Sequence, residues 1–361
     1  MAAKNRTWED KVRKVVPYVA GEQPKDANII KLNTNENPYP PSEKVREAME
    51  QLAEEADLLR LYPDMDATAL VDALAQYLHV DSSRIFVGVG SDDVLALSFM
   101  TFFCGGGTLL FPDITYSFYK VWASLYRIPY RTVPLTQDMR IDPAAFKAGP
   151  EDGELAGIIL PNPNAPTGVE APQADIEAIL QANPACVVIV DEAYVDFGAE
   201  SALPLLEKYD NLLIVQTFSK SRSMAGLRIG YAVGNEKLIG FLKDVKFSFN
   251  SYTLGRPSIL MGTASVKDEV YFRETTEKIA KTREWFSGEL DRLGFVHPQS
   301  RANFVFAKHP AHTGEELLQK LRANGILVRH FAQPGISDYL RITIGRPEQM
   351  KEVVRVLEEI L

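Results

Sequence analysis

Cysteine is scarce in this chain: 361 residues contain two, Cys104 and Cys186, far apart and in no metal-type spacing. Both sit beside apolar runs, so both are expected to be buried and inert. The five histidines form neither an H-x-x-x-H nor an H-E-x-x-H pattern, and no metal is expected. Positive charge is in the minority too. A net charge of −9 argues against general affinity for nucleic acid or an anionic membrane. Any phosphate or carboxylate ligand must then be held by local cations and oriented amides. No apolar run approaches the roughly 20 residues of a membrane span. The opening "MAAKNRTWEDKVRKVV" is charged and has no apolar signal centre, so a reducing, cytoplasmic setting is expected. Internal repeats and low-complexity stretches are absent as well.

What is present is a globular composition, 46% apolar and 24% charged, on a chain long enough for two cores. From about residue 84 to 234, short apolar runs alternate with helical patterns. "RIFVGVG", "TLLF", "YRTVPL", "LAGIILP", "ACVVIVDEAY", "NLLIVQTFS" and "LRIGYAVG" are the runs. Continuous Val/Ile/Leu strands with helices between several of them predict an α/β fold, with a mostly parallel sheet covered on both faces. The stretch from Gly255 to Leu293 is charged and helical, and is expected to bridge domains. After it, "NFVFAK", "ILVRHF" and "YLRITIG" alternate with helical segments, an α+β unit of its own. The division predicted is a large domain at 35–254 and a small one made of 1–34 and 255–361, with the N-terminal segment packed on the latter.

In parallel sheets ligands bind beyond the carboxyl ends of the strands, so the residues after each run matter most. In "GVGSDDVLAL", glycines precede Ser91 and Asp92 at a helix start, where free amides make an anion site; Ser91 as a plain helix cap is the alternative. Tyr116, in "FPDITYSFYK", lies flat over a planar ring or packs in the core. The proline-rich "ILPNPNAPTG" is a stiff loop that either aims Asn side chains at a ligand or only turns the chain. Asp191 follows five apolar residues, and a buried carboxylate needs a positive partner, structural or bound; Tyr194 is within reach of the same place. In "TFSKSRSMAGLRIGY", Lys220 suits a nucleophilic amine and Arg228 a phosphate fork, unless the segment is an exposed basic loop. Arg222, between them, either tunes the lysine or meets solvent.

A phosphate nest, a ring-stacking aromatic, an acid wanting a cation, a phenol and an amine are together what pyridoxal 5′-phosphate uses. Its aldehyde forms a Schiff base with a lysine, and its protonated ring nitrogen pairs with an aspartate.

"LNTNENPYPPS", "LYPD", "GVGSDD", "TYSFY", "NPNAPTG", "DEAYVDF", "TFSKSRSMAGLRIGY" and "YLRITIG" occur in this order along nearly the whole chain. In them the chain resembles the class I/II aminotransferases of fold type I. "LNTNENP" with "LRITIG" resembles the branch that acts on histidinol phosphate. The resemblance implies that Lys220 carries the cofactor, that Asp191 pairs with its ring nitrogen, and that Tyr194 bonds its ring oxygen O3′ while Tyr116 stacks on the ring. Ser91, Asp92, Ser219 and Arg228 would hold the cofactor phosphate, with Tyr62 reaching the neighbouring cofactor across a homodimer interface. Arg341 and its helper Arg329, covered by Tyr18 and joined by Asn37, would bind the substrate anion.

Two positions depart from the pattern. Ala165 stands where the family usually has an asparagine that contacts O3′, and Asn164 is the nearest replacement. Asp93 is a shorter acid than usual and should leave the amide nest unchanged. The activity implied is amino transfer from L-histidinol phosphate to 2-oxoglutarate, giving glutamate. An aromatic amino-acid aminotransferase and a threonine-phosphate decarboxylase-like lyase remain open as alternatives. A cofactor-binding regulatory module is opposed by the acidic total.

Overall fold

Every apolar run of the 84–234 region becomes a strand of one seven-stranded sheet. The computed structural model describes residues 7–19, 21–25, 28–149 and 151–361, so the first six residues of the N-terminal segment lie outside the described residues. In chain order the strands are β1 (Ile30–Lys31), β2 (Ile85–Gly88), β3 (Thr108–Pro112), β4 (Tyr130–Val133), β5 (Leu155–Pro161), β6 (Val187–Asp191), β7 (Leu212–Thr217) and β8 (Gly230–Gly234). They are followed by β9 (Phe304–Ala307), β10 (Ile326–Leu327), β11 (Arg329–His330) and β12 (Leu340–Thr343). The helices are α1 (Glu43–Glu54), α2 (Thr68–Leu78), α3 (Ser91–Phe102), α4 (Phe118–Tyr126), α5 (Gln173–Ala182), α6 (Glu236–Phe249), α7 (Arg256–Val266), α8 (Glu269–Arg292), α9 (Gly314–Ala323) and α10 (Pro347–Ile360).

The large sheet runs β2-β8-β7-β6-β5-β3-β4. All neighbours from β7 to β4 are parallel, and β8 is antiparallel to both β7 and β2. Successive strand residues point to opposite faces. Val188, Val190, Ile158 and Leu160 therefore enter one core, while Ile189 and Ile159 enter the other. Burial on both faces is why the runs are apolar throughout and do not alternate.

A third core surrounds the antiparallel sheet β11-β12-β9. β1 pairs in parallel with β10, and the Leu32 carbonyl accepts the Thr343 amide, which ties residues 30–35 to this smaller sheet. Part of the rest of the N-terminal segment also meets this smaller unit, where Glu22 pairs with Arg322 of α9 at 2.8 Å, whereas Tyr18 stacks on Phe118 of α4 at 4.2 Å, beside the large sheet.

Two further expectations need correction. Residues 255–293 form two helices, not one, interrupted at Lys267 and Asp268. The first of them, α7, packs on α1 and α2 and buries Ile259 and Met261 in the large core, so a boundary at 254 falls too early. Cys186 is half-buried, but Cys104 is exposed, because it starts the Gly105–Gly107 turn that leaves α3. Among the described residues no helix is long and apolar enough to cross a membrane. Nor do they include a group of three His, Cys, Asp or Glu placed to hold a metal ion.

Candidate active site

The chain order of the strands brings distant segments to one edge of the sheet. β2 and β7 run in the same direction because both are antiparallel to β8, and Gly230 of β8 is registered with Gly88 and with Thr217. The start of α3, the residue pair Thr217–Ser219 and Arg228 are thereby stacked side by side. Only glycine suits position 230: a Cβ there would lie 2.3 Å from the Gly90 carbonyl carbon and the Ser91 nitrogen. Gly90 itself has φ 87° and lies so close to the Arg228 guanidinium that a Cβ would meet it at 2.4 Å.

Beyond this edge lies a cavity of about 210 Å³. It collects Ser91, Asp92, Tyr116, Asp191, Tyr194, Ser219, Lys220, Arg228, Tyr18, Arg329 and Arg341 from the sequence-derived set. At one end the α3 N-terminus presents backbone amides in their first, unpaired turn. The Arg228 Nη1 donates to Ser219 Oγ at 3.2 Å, and its Nη2 donates to Asp92 Oδ2 at 3.4 Å. Asp92 also accepts the Tyr116 hydroxyl at 2.9 Å, so its carboxylate orients the phenol and the guanidinium; its contribution to an anion is through its backbone. Burial, with Asp92 beside it, pushes the Tyr116 phenol well above its ordinary pKa and keeps it protonated. Asp93 caps the turn by accepting the Val89 amide at 2.9 Å.

Asp191 ends β6 with 5% of its surface exposed and no cation partner among the described residues. Burial raises its pKa to about 6, a rise that the Tyr119 hydroxyl and the Ala193 amide oppose and the Asp92 charge adds to. The cation expected beside Asp191 is therefore not supplied by the described residues. Lys220 reaches into the cavity, where its Nζ donates to the Thr34 carbonyl at 3.1 Å and lies 5.8 Å from the Tyr194 ring centroid. The Tyr194 oxygen accepts from Asn35 Nδ2 at 2.9 Å.

At the far end Arg329 and Arg341 are direct partners on neighbouring antiparallel strands. Like charges placed opposite one another are unfavourable unless an anion joins them. Arg341 donates to the Asn33 carbonyl at 3.1 Å, and its Nε is buried without a partner. Burial, together with the nearby Arg329 charge, lowers its pKa. This end of the cavity is a cationic clamp with unspent donors.

Three predicted site residues lie elsewhere. Asn164 is buried outside the cavity lining, with its amide donating to the Ile114 carbonyl and to Thr167; it shapes the loop and leaves the apolar Ala165 facing the cavity. Asn37 donates to the carbonyls of Lys220 and Ser221 at 3.0 and 3.2 Å, so it clamps the lysine backbone and does not line the cavity. Tyr62 is 78% exposed and stacks on Tyr252 away from this chain's cavity. Arg222 does neither thing expected of it. It is buried, donates to the Ser265 carbonyl at 2.9 Å, and packs 4.2 Å from the Phe272 ring.

Tyr119, Asn35 and Thr34 escaped the sequence reading. Tyr119 could have been found, since it lies one helical turn beyond Tyr116 on the strand-end side. Thr34 acts through a carbonyl, which no residue type signals.

The model of the aminotransferase class I and II family matches residues 27–357. A histidinol-phosphate aminotransferase of Acinetobacter baumannii (strain SDF) is 50% identical over 99% of this chain and 98% of its own length. One from Marinomonas sp. (strain MWYL1) is 51% identical over 99% of this chain and all of its own. Among solved structures, the histidinol-phosphate aminotransferase of Sinorhizobium meliloti in complex with pyridoxal-5′-phosphate superposes with a TM-score of 0.83. It is 24% identical, over 92% of this chain and 90% of that one. L-threonine-O-3-phosphate decarboxylase of Porphyromonas gingivalis superposes at 0.77, also 24% identical, over 92% and 99% of the two chains. The fold is thus common to transferases and a lyase, whereas the full-length identity lies with the former. The chain belongs to the class I and II aminotransferase family.

Proposed function

We propose that this chain is a pyridoxal-phosphate-dependent aminotransferase that converts L-histidinol phosphate and 2-oxoglutarate to imidazole-acetol phosphate and L-glutamate. The observation that carries the reading is one cavity that the Lys220 amine shares with a buried acid and a pair of arginines, the acid having no cation partner and the arginines no acid partner among the described residues. The residues fit the cofactor: Asp191 lacks the positive partner that its ring nitrogen would be, and the α3 amides, Ser219 and Arg228 suit its phosphate. When bound, pyridoxal phosphate supplies an aldehyde that captures an amine and a ring that accepts an electron pair.

The chain's own residues supply the rest. Asp191, fixed by Tyr119 at 2.7 Å, keeps a compensating negative charge at the base of the cavity. Tyr116 walls one side, and its high pKa keeps a neutral phenol against the ring. With the cofactor bound, Lys220 would be the base that takes the proton from the substrate α-carbon and the acid that returns it two atoms away, across the substrate nitrogen. Both substrates carry an anion near their reacting carbon, a carboxylate bonded to it in one and a phosphate ester on the adjoining carbon in the other. Arg341 has a planar fork that accepts either geometry.

The homologues' identity over the whole chain favours this donor over the aromatic amino acids. Steady-state kinetics of the purified protein test it. Histidinol phosphate should exceed phenylalanine and tyrosine in kcat/KM by at least about tenfold, and turnover should require 2-oxoglutarate. A preference for the aromatic amino acids would transfer the assignment to that class, and turnover with CO2 release and no oxo acid would transfer it to the lyases.

A homodimer is part of the same reading, supported by the exposed pair Tyr62 and Tyr252 and the exposed Leu59, Leu61 and Phe249. The two cysteines form no disulfide, which suits a reducing cytoplasm. Two domains are also proposed, with their junction at the α7–α8 break near Lys267.

A further inference from the structure

Asn35 makes four hydrogen bonds, three of them to the small sheet and its approach. Its amide N–H donates to Thr343 Oγ1 at 3.0 Å, its carbonyl accepts from Asn303 Nδ2 at 3.0 Å, and its Oδ1 accepts the Thr343 hydroxyl at 3.0 Å. The fourth crosses the cavity edge, from Nδ2 to the Tyr194 oxygen at 2.9 Å. Thr343 determines the orientation of the side chain. Its oxygen already receives the backbone N–H, so its single proton goes to Oδ1, which turns the NH2 group toward Tyr194. Asn35 is 1% exposed, and its left-handed backbone, φ 58°, favours asparagine or glycine.

The Tyr194 hydroxyl has no other hydrogen-bond partner among the described residues, and its neighbours Ala165 and Phe304 are apolar. We propose that Asn35 is a positioning residue that fixes the polarity of Tyr194: the phenol oxygen accepts from Asn35, so its proton is presented to the cavity as a donor. Thr343 lies two residues from Arg341 on β12, so the strand that carries the anion clamp also sets this donor. The inference rests on the cofactor reading above, in which the atom receiving the proton is the ring oxygen beside the lysine-bound carbon.

A donor on that oxygen draws charge from it and weakens its hold on the protonated lysine nitrogen. Removing the donor should therefore raise the pH midpoint of the visible band of the loaded protein. Tyr194→Phe should raise it by about one unit. Asn35→Gly, which keeps the left-handed backbone, should move it the same way, and the double variant should match Tyr194→Phe alone. Asn35→Asp keeps the Thr343 bond and accepts from Tyr194, reversing the polarity, so it should raise the midpoint even if the glycine variant folds poorly. A midpoint unchanged in both Asn35 variants while Tyr194→Phe moves it would overturn the role of Asn35 and leave the cofactor reading standing. A midpoint unmoved by Tyr194→Phe would overturn both.

Discussion

The Tyr119 hydroxyl donates to Asp191 Oδ2 at 2.7 Å, at the base of the cavity, where both residues are buried. This bond is the only side-chain hydrogen bond on the carboxylate among the described residues and works against the upward push of burial. Tyr119→Phe should therefore raise the Asp191 pKa above about 6 and weaken retention of the cofactor. Titrating pyridoxal phosphate into the cofactor-free variant at pH 7 should show a dissociation constant raised about tenfold, the worth of one hydrogen bond to a charged group. An unchanged constant would mean that Asp191 does not need its phenol.

The same carboxylate links stability to pH. Its pKa rises from 3.8 to about 6 on folding, so the folded cofactor-free protein holds the proton more tightly than the unfolded chain. Stability from this group is full below pH 4 and is lost as pH rises through 6, in total about 3 kcal/mol. Asp191→Asn should accordingly stabilise the cofactor-free protein at pH 7.5 and have little effect at pH 4, while abolishing transamination. Denaturant melts at the two pH values measure this, and equal effects at both would refute the linkage.

Arg341 offers a desolvated guanidinium with a buried, unpartnered Nε. Arg341→Gln should cost about 2–3 kcal/mol of charge-assisted binding, near a hundredfold in kcat/KM. The loss should appear as raised KM for both histidinol phosphate and 2-oxoglutarate, with the visible band of the cofactor intact. A loss confined to one substrate would show that the two anions do not share the clamp.

Asn37 holds the lysine segment and not the substrate. Asn37→Ala removes two bonds to the Lys220 and Ser221 carbonyls and should destabilise the protein by roughly 1–3 kcal/mol. Thermal melts should register that change while KM stays as in the unaltered protein. A raised KM with an unchanged melting temperature would restore the substrate-binding role.

The dimer reading predicts complementation. Lys220→Ala chains lack the reactive amine and should show neither the visible band nor turnover. Mixed with Tyr62→Ala chains, they should form hybrids with one intact site of two, because that site draws Lys220 from one chain and Tyr62 from the other. Activity of the refolded mixture above the sum of its parts is the expected result. No gain would place Tyr62 outside any shared site.

Strand ends were legible in the sequence because a buried parallel strand must be apolar along its length, and the first polar residues after it stand out. Asp191, Lys220 and Ser91 stand out in this way, and one cavity takes all three. Arg329 and Arg341 were reached through resemblance alone, since an arginine in an alternating strand reads equally well as solvent-facing. The structure adds their direct pairing across β11 and β12, which turns two cations into a clamp.

Sequence by itself determined the class of the fold, the cofactor chemistry and the residues that carry charge, since these follow from local pattern and residue type. Only the tertiary structure decided orientation. Asn164 and Asn37 have the right chemistry but spend it on backbone carbonyls, and Arg222 is enclosed by aromatic rings. Asn35 and Tyr119 turn inward onto Tyr194 and Asp191. A side chain's direction is set by which distant strands and helices pack beside it, and that information is spread over the whole chain.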